Sequence, residues 1–174
     1  VASRKNLSSL PQIFRHMQPF FENQRCCFVR AGDYLPESLK NEIISITGMH
    51  GLVELGPLYE DDLIAAYQSA KALLFPSTLE GLTFVIPEAM AAGCPVVTNS
   101  MTANPEAGGD AAFYYTEGDY AMAAFHLTNL LTKPELHSKA KIAGIERART
   151  MTWSHHFESV LQVYRNLRSQ LKNV

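Results

Sequence analysis

Apolar residues follow two different patterns along this chain of 174 residues. In residues 7–21 they recur every three or four positions and form one helical stripe. Short continuous runs such as 72–75 have the length of buried strands. We therefore predict helices over residues 7–21, 36–47, 61–70, 86–92, 120–131, 134–151 and 153–171, and strands over residues 25–31, 52–55, 72–75, 95–98 and 112–115.

The order of these elements predicts the fold class. Helices alternate with short apolar strands, which is typical of a parallel sheet covered by helices on both faces. We therefore expect an α/β, three-layer Rossmann-like domain. Because 47% of the residues are hydrophobic, a chain of this length buries enough surface for one core. Residues 1–174 are predicted to form a single domain.

Charge and cysteine content narrow the functional class. The net charge is −2 and the pI is about 6.3, and no run of five basic residues occurs, so nucleic-acid binding is not expected. No apolar stretch approaches the roughly 20 residues that span a bilayer. Cys26, Cys27 and Cys94 are predicted to be reduced packing residues. No signal peptide is recognisable, and the expected location is the cytoplasm.

The residue patterns of common cofactor sites are missing from the sequence. No His–Glu or Cys–His spacing typical of a metal site occurs. The glycines never form G-x-G-x-x-G, which argues against a nicotinamide or flavin enzyme. The acidic run 60–62 is interpreted as the start of a helix, where carboxylates favour the N-terminus, rather than as a metal site. We therefore expect no metal and no cofactor.

Residues 80–98 carry the strongest functional signal. Glu80 and Glu88 stand eight positions apart around a predicted turn from strand 72–75 into helix 86–92. In parallel α/β sheets, ligands bind at the carboxyl ends of the strands. A helix that begins there directs free N–H groups at the ligand, which suits a phosphate. The stretch therefore predicts a site for a phosphorylated ligand.

The same stretch resembles the donor-binding half of family 4 retaining glycosyltransferases, which have the two-domain GT-B fold. It departs from the family's pattern at residues 82–84, where Leu-Thr-Phe replaces aromatic-Gly-Leu, and at Pro87, directly before the second glutamate. Residues 3–7, 55–63 and 104–112 are similar to three further family segments in the same order. The residues in register with the glutamate motif are Glu80, Gly81, Glu88, Ala89, Met90, Ala91, Gly93, Pro95, Val96 and Val97.

The resemblance implies a role for each matching residue. Lys5, together with Arg4, would contact the diphosphate of the donor. Glu88 would bind the ribose hydroxyls and Glu80 the donor sugar, so Glu80 and Lys5 are the implied catalytic residues. The segment 104–112 corresponds to the loop that follows the motif strand. The other implied donor-binding residues are Gly81, Leu82, Thr83 and Phe84 in the turn, and Leu58 and Tyr59 beside the base.

The implied activity is hexosyl transfer from a UDP- or GDP-linked sugar to an acceptor glycan or lipid, with retention of anomeric configuration. Since the chain matches only the donor half of the family and does not begin with Met, we expect it to need an N-terminal acceptor domain of the same enzyme for turnover. We expect the enzyme at the inner face of a membrane, with peripheral membrane contact only through that other domain.

The last predicted helix carries a long apolar stripe. In the resembling family this helix crosses onto the N-terminal domain, so we expect part of the stripe to lack a partner, above all toward Leu167 and Leu171. The alternative is that the helix packs wholly on its own domain. The stripe consists of Trp153, Phe157, Val160, Leu161, Tyr164, Leu167 and Leu171.

Two other functions stay open at this point. The chain could be a nucleotide-sugar-binding module without catalysis, which a free-standing gene of this length would favour. It could also be half of a nonhydrolysing nucleotide-sugar epimerase. An epimerase would need its own acid/base carboxylates and a histidine near the sugar, and the sequence identifies no such set.

Overall fold

The computed structural model describes residues 4–23 and 26–171. Strands and helices alternate, and the expected α/β class is confirmed. The strands are β1 (Phe28–Ala31), β2 (Leu52–Gly56), β3 (Leu73–Phe75), β4 (Val96–Asn99) and β5 (Phe113–Tyr115). The α-helices are α1 (Leu10–Arg15), α2 (Gln18–Glu22), α3 (Glu37–Thr47), α4 (Glu60–Ser69), α5 (Val85–Ala91), α6 (Asn104–Gly108), α7 (Tyr120–Thr132), α8 (Pro134–Arg149) and α9 (Trp153–Leu171).

The described strands pair in parallel and form two separate sheets, one of two strands and one of three, which we call the first and the second ladder. In the first, β1 pairs with β2, with Phe28 opposite Leu52. In the second, β4 lies between β3 and β5. Within residues 4–23 and 26–171 no ladder joins β1 to β3. One hydrophobic core nevertheless includes Phe28 and Leu52 of the first ladder and Val97 of the second, so the two ladders belong to one packed unit.

Alternate residues of β4 face opposite helical layers. Val97 packs in a core with Ile13 of α1 and Ile43 of α3. Its neighbour Val96 packs in a second core with Ile86 of α5. Because successive strand side chains point to opposite faces, this burial confirms a parallel sheet covered by helices on both faces.

The first predicted helix, residues 7–21, is interrupted in the structure. A 3-10 turn covers Leu7–Ser9, α1 ends at Arg15, and α2 begins at Gln18. Pro19 explains the break, because it has no N–H to donate to the Arg15 carbonyl and its ring would clash with that oxygen in a continuous helix. The apolar stripe continues across the break, since Ile13, Phe14, Met17 and Phe21 are all buried.

The strand predicted over residues 25–31 is shorter than expected. β1 begins at Phe28, whose N–H donates to the Gly51 carbonyl at 2.8 Å. Phe28 is also the first residue that pairs with β2, opposite Leu52. Cys26 and Cys27 precede the strand, which corrects their predicted placement inside it, and Arg25 lies outside the described residues. Burial raises the pKa of the half-buried Cys26 thiol.

The segment after β4 is helical rather than a loop. The structure forms α6 over Asn104–Gly108, followed by a 3-10 turn over Gly109–Ala111. Pro105 occupies the first turn of α6, where its missing N–H costs nothing. A helix of this length is too short to show an apolar period, which is why the sequence pattern missed it.

The long C-terminal helix agrees with its predicted bounds. α9 runs over Trp153–Leu171, and the side chain of Leu171 lies outside the described residues. The predicted lack of a partner is confirmed and extends further than expected, since Trp153 is 77%, Tyr164 67% and Leu167 51% exposed. Most of the described stripe therefore faces solvent from the first turn onward, and Leu161 is half-buried.

Candidate functional site

The glutamate stretch forms the connection from β3 to α5. β3 ends at Phe75, the loop runs over residues 76–84, and α5 begins at Val85. Glu80 lies in the loop and Glu88 in the first turn of α5. Pro87 is tolerated because it also falls in that first turn. The predicted strand–turn–helix arrangement is confirmed at the carboxyl end of β3.

The basic segment contacts the same loop. The Arg4 carbonyl accepts hydrogen bonds from the Thr78 N–H at 2.9 Å and from the Ser77 hydroxyl at 3.0 Å. The side chains of Arg4 and Lys5 are both exposed. The structure thus brings Lys5 beside the glutamate loop, although more than 70 residues separate them in the chain.

Asn6 follows Lys5 directly, and the sequence analysis gave it no role. Its φ of +50° is left-handed, a conformation that Asn tolerates better than most residues. Its side-chain amide also donates to both carboxylate oxygens of Glu117, at 2.9 and 3.0 Å. Asn6 therefore turns the chain directly after Lys5 and ties that turn to the region before α7.

Two buried asparagines hold the glutamate loop through hydrogen bonds to its main-chain carbonyls. Asn99 Nδ2 donates to the carbonyls of Pro76 and Ser77, at 2.7 Å each. Asn104 Nδ2 donates to the Ser77 carbonyl at 2.9 Å and to Asn99 Oδ1 at 3.0 Å. Both asparagines are fully buried. Buried amides of this kind fix a loop because releasing either partner would leave it unsatisfied.

The Glu80 carboxylate is held by a buried hydroxyl. Ser77 Oγ donates to Glu80 Oε1 at 2.7 Å. The Glu80 N–H donates to Thr102 Oγ1 at 3.1 Å. Thr102 itself has a left-handed φ of +47°, which is strained for a β-branched residue. Glu80 is therefore fixed both at its main chain and at its side chain.

Glu88 lies in different surroundings. The residue as a whole is exposed, although its carboxyl lies partly against the protein and this burial raises its pKa. Burial, with the negative charge of nearby Glu88 second, raises the pKa of Tyr67 to about 12. Glu88 is therefore open to solvent on the described surface.

The turn between the glutamates is only partly exposed. Gly81 and Leu82 face solvent, and Phe84 is half exposed at the start of α5. Thr83 is 3% exposed, and within the described residues its hydroxyl has no hydrogen-bond partner. Its φ is not positive, so replacing the family's glycine with Thr83 introduces no left-handed strain.

The segment predicted to flank the base follows β2. Leu58 is half-buried, and Tyr59 is exposed directly before α4. Gly56, with a φ of +71°, precedes them, and a Cβ there would lie 3.0 Å from the Tyr34 hydroxyl. Only glycine therefore suits the bend that places Leu58 and Tyr59 beyond the carboxyl end of β2.

A cavity lies elsewhere in the described part of the molecule. A volume of about 500 Å³ is lined by Phe21, Cys26, Thr47, His50 and neighbouring residues. These residues precede β1 and β2, at the end of the first ladder opposite to Leu58. None of the residues that line this cavity belongs to the glutamate loop, so the cavity is not part of the glutamate site.

The described ranges hold neither a metal-binding cluster nor a membrane-spanning helix. Residues 4–23 and 26–171 contain no group of three His, Cys, Asp or Glu side chains placed to hold a metal ion. None of the helices in these ranges is both long and apolar enough to cross a bilayer. The expectation of a metal-free reaction stays a prediction.

Sequence comparison decides the family. The family described as glycosyl transferases group 1 matches residues 2–133, which include the basic segment and both glutamates. The chain belongs to the glycosyl transferases group 1 family. The roles of the individual site residues stay predictions.

Curated relatives and solved structures agree with this membership. The chain is 30% identical over 168 residues to a phosphatidyl-myo-inositol mannosyltransferase of Mycobacterium leprae, which covers 92% of this chain and 43% of the relative. It is 29% identical over 113 residues to O-antigen chain mannosyltransferase B of Escherichia coli, and this alignment covers 65% of this chain and 30% of the relative. The chain therefore spans less than half of these relatives.

Structural comparison supports the fold. A UDP-forming α,α-trehalose-phosphate synthase from Burkholderia vietnamiensis superposes with a TM-score of 0.79 at 17% identity, over 97% of this chain and 42% of that one. At such low identity the match shows the fold alone. The group 1 chain thus has the architecture of one Rossmann-like half of a GT-B glycosyltransferase.

Proposed function

We propose that this chain is the donor-binding half of a family 4 retaining glycosyltransferase. In this proposal the enzyme transfers a hexose from a UDP- or GDP-linked sugar to an acceptor glycan or lipid. The observation that carries the proposal is the contact between the basic segment and the glutamate loop. The Thr78 N–H donates to the Arg4 carbonyl at 2.9 Å and holds the Arg4–Lys5 segment against the loop that presents Glu80, with the Ser77 hydroxyl 3.0 Å from the same carbonyl.

This arrangement suits the charge changes of glycosyl transfer. When the anomeric C–O bond breaks, the sugar becomes oxocarbenium-like and the departing diphosphate gains negative charge. A cation fixed beside the diphosphate lowers the barrier, and one positioned donor is worth about 3–4 kcal/mol in comparable anion sites. Lys5, with Arg4, supplies that cation, and the main-chain N–H groups of residues 81–84 are the further donors in the proposal.

The two glutamates have separate roles in the proposal. Glu88 accepts hydrogen bonds from the ribose hydroxyls, and its exposed position leaves it accessible to a nucleotide. Glu80 accepts from hydroxyls of the donor sugar and orients the ring. Leu58 and Tyr59 flank the base. The acceptor attacks the anomeric carbon on the same face from which the diphosphate leaves, so the anomeric configuration is retained. No metal takes part in this proposal.

The donor class is supported by relatives, not by this chain alone. The Burkholderia synthase is UDP-forming, and two of the curated relatives, 29% and 30% identical to this chain, are mannosyltransferases. Because the chain spans 30% and 43% of those relatives, we infer that a second domain of the same enzyme supplies the acceptor site. The isolated chain is then expected to bind donors without turnover.

Calorimetry with UDP, GDP and ADP tests the proposal directly. We expect weak heats for UDP or GDP, because the isolated half offers only one wall of the cleft. A nucleotide at about 100 times its dissociation constant would add about 2.7 kcal/mol to the free energy of unfolding, which a thermal shift detects. No binding of any nucleoside diphosphate at millimolar concentration would refute donor binding by this chain.

A further inference from the structure

We propose that Ser77 is the positioning residue that orients Glu80 for its contact with the donor sugar. The inference rests on the proposed function, because that function gives Glu80 the sugar contact. Ser77 lies in the loop between β3 and α5 and is 1% exposed. Its hydroxyl donates to Glu80 Oε1 at 2.7 Å, a length typical of a charge-assisted O–H···O bond.

The single hydrogen of this hydroxyl lies within reach of two acceptors. The Arg4 carbonyl oxygen is 3.0 Å from Ser77 Oγ, which is longer than the 2.7 Å to Glu80. That carbonyl also accepts from the Thr78 N–H at 2.9 Å. It therefore stays paired when the Ser77 hydrogen is directed at Glu80, and the competition for that hydrogen is weak.

The main chain of Ser77 is fixed in place. Its carbonyl accepts from Asn99 Nδ2 at 2.7 Å and from Asn104 Nδ2 at 2.9 Å, and both asparagines are fully buried. A hydroxyl on a main chain held by two buried amides has little positional freedom. Ser77 can therefore transmit the rigidity of this buried network to the Glu80 carboxylate, which lies nearer the surface.

Glu80 keeps one oxygen for a ligand. Its main chain is held by Thr102 Oγ1, which accepts from the Glu80 N–H at 3.1 Å. Its Oε1 accepts from Ser77, and among residues 4–23 and 26–171 no hydrogen bond to Oε2 is found. With one oxygen fixed and the other open, the carboxylate has a defined direction, which is what a hydrogen bond to a particular sugar hydroxyl requires.

A double-mutant cycle in the full-length protein tests the coupling. Ser77→Ala is expected to lower kcat about 10-fold while the donor KM changes less than about twofold, because the carboxylate loses its direction and the nucleotide contacts remain. In a Glu80→Ala background, Ser77→Ala is expected to cause no further loss. An equal loss in both backgrounds would overturn the proposal, because the effect would then not pass through Glu80.

Thr78→Ala is the matched control. Its hydroxyl approaches the same Arg4 carbonyl at 3.3 Å but makes no hydrogen bond to Glu80 among the described residues, so a smaller loss of kcat than in Ser77→Ala is expected. A Thr78→Ala loss equal to that of Ser77→Ala would point to the Arg4 segment instead and would overturn the role given to Ser77.

A second readout needs neither donor nor turnover. NMR coupling constants for χ1 of Glu80, measured on the 174-residue chain, are expected to indicate one rotamer in the wild type and rotamer averaging in Ser77→Ala. A single rotamer in both would overturn the proposal even in a chain that binds UDP or GDP. If the chain bound no nucleotide, the donor-site assignment would fail while the rotamer result still decided whether Ser77 orients Glu80.

Discussion

At the scale of single residues, the two glutamates of one motif are held differently. The Glu80 carboxylate accepts from a buried hydroxyl, whereas Glu88 is exposed beside Tyr67 and burial of its carboxyl raises its pKa. In the proposed function, Glu88 contacts the ribose throughout the reaction, while the contact of Glu80 with the sugar changes as the anomeric bond breaks. Only the second kind favours the transition state over the bound donor.

Binding and turnover are therefore expected to separate in the two alanine variants. Glu88→Ala should weaken binding of UDP or GDP about 10-fold, because hydrogen bonds to a charged group contribute about 1.5–3 kcal/mol. Glu80→Ala should change nucleotide affinity less than about twofold. In the full-length enzyme, however, it should lower kcat at least about 10-fold. Calorimetry and steady-state kinetics measure the two quantities, and equal losses of nucleotide affinity would contradict the assignment.

Two variants of Asn6 separate the contribution of its side-chain hydrogen bonds from the contribution of its left-handed main chain. Asn6→Gly removes the bonds to Glu117 but keeps the left-handed φ, whereas Asn6→Ala removes the bonds and also strains the main chain. We expect Asn6→Ala to lower the free energy of unfolding by about 1 kcal/mol more than Asn6→Gly does. Urea denaturation measures both, and indistinguishable midpoints would show that the φ carries no cost.

The sequence predicts which residues meet at the site better than it predicts what holds them. The place of Glu80 and Glu88 after β3 follows from the order of strand, turn and helix, whereas Lys5 was placed only through the resemblance to family 4 glycosyltransferases. The roles of all three stay predictions. The bonds from Asn99 and Asn104 to the Ser77 carbonyl could not be predicted from the sequence. A side-chain amide can donate to the main-chain carbonyl of any residue type, so such a bond leaves no mark on the sequence of its partner. The left-handed Thr102 was likewise hidden, since nothing in its sequence context demands a positive φ.

At the scale of secondary structure, periodicity located the long helices and missed short ones. α9 and α8 were predicted to within two residues at each end, because several turns repeat the apolar stripe. α6 was taken for a loop, because five residues hold little more than one turn. The interruption at Pro19 was missed because the buried stripe continues across it, so side-chain spacing alone does not report the broken main chain.

The junction of β2 with α3 gives a pH-dependent prediction. Glu54 accepts from the Leu35 N–H at 2.7 Å and pairs with Lys40 at 3.0 Å. The Leu35 bond, with Lys40 second, lowers the pKa of Glu54. A lowered pKa means that this stabilisation is present above the unfolded value of about 4.3 and is lost as pH falls through the lower folded value.

Glu54→Gln isolates this contribution. The variant is expected to be less stable than the wild type at pH 7, and the difference should shrink progressively below about pH 4.3. Urea unfolding from pH 7 down to about pH 3 measures it. Glu42→Gln is the matched control, since Glu42 pairs with Arg15 on the exposed surface and such pairs contribute little. A Glu54→Gln deficit that stayed constant with pH would exclude ionisation as its cause.

At the scale of the whole molecule, α9 presents an uncovered apolar face. Phe157 is 60% and Val163 58% exposed, and Trp153 reaches the rest of the molecule mainly through the ring of Phe84, at 6.3 Å between centroids. Exposed apolar surfaces of this kind tend to acquire a partner. In the proposed two-domain enzyme, we expect the second domain to cover this face.

The isolated chain should therefore self-associate through α9. Sedimentation is expected to show concentration-dependent association, which the double variant Phe157→Ser, Tyr164→Ser abolishes. Its melting temperature should change little, because both side chains are already exposed. Ile142→Ser on α8, also exposed at 59%, is the control and should still associate. A monomer at all concentrations would contradict the prediction.

The division of the strands into two ladders has a consequence for how the fold opens. A two-stranded ladder is marginally stable by itself, and β1 and β2 depend on the shared core for most of their stability. Proteins open in cooperative units of unequal free energy. Amides of residues 52–56 are therefore expected to exchange with deuterium before those of 96–99, so that the first ladder opens while Asn99 still holds the glutamate loop.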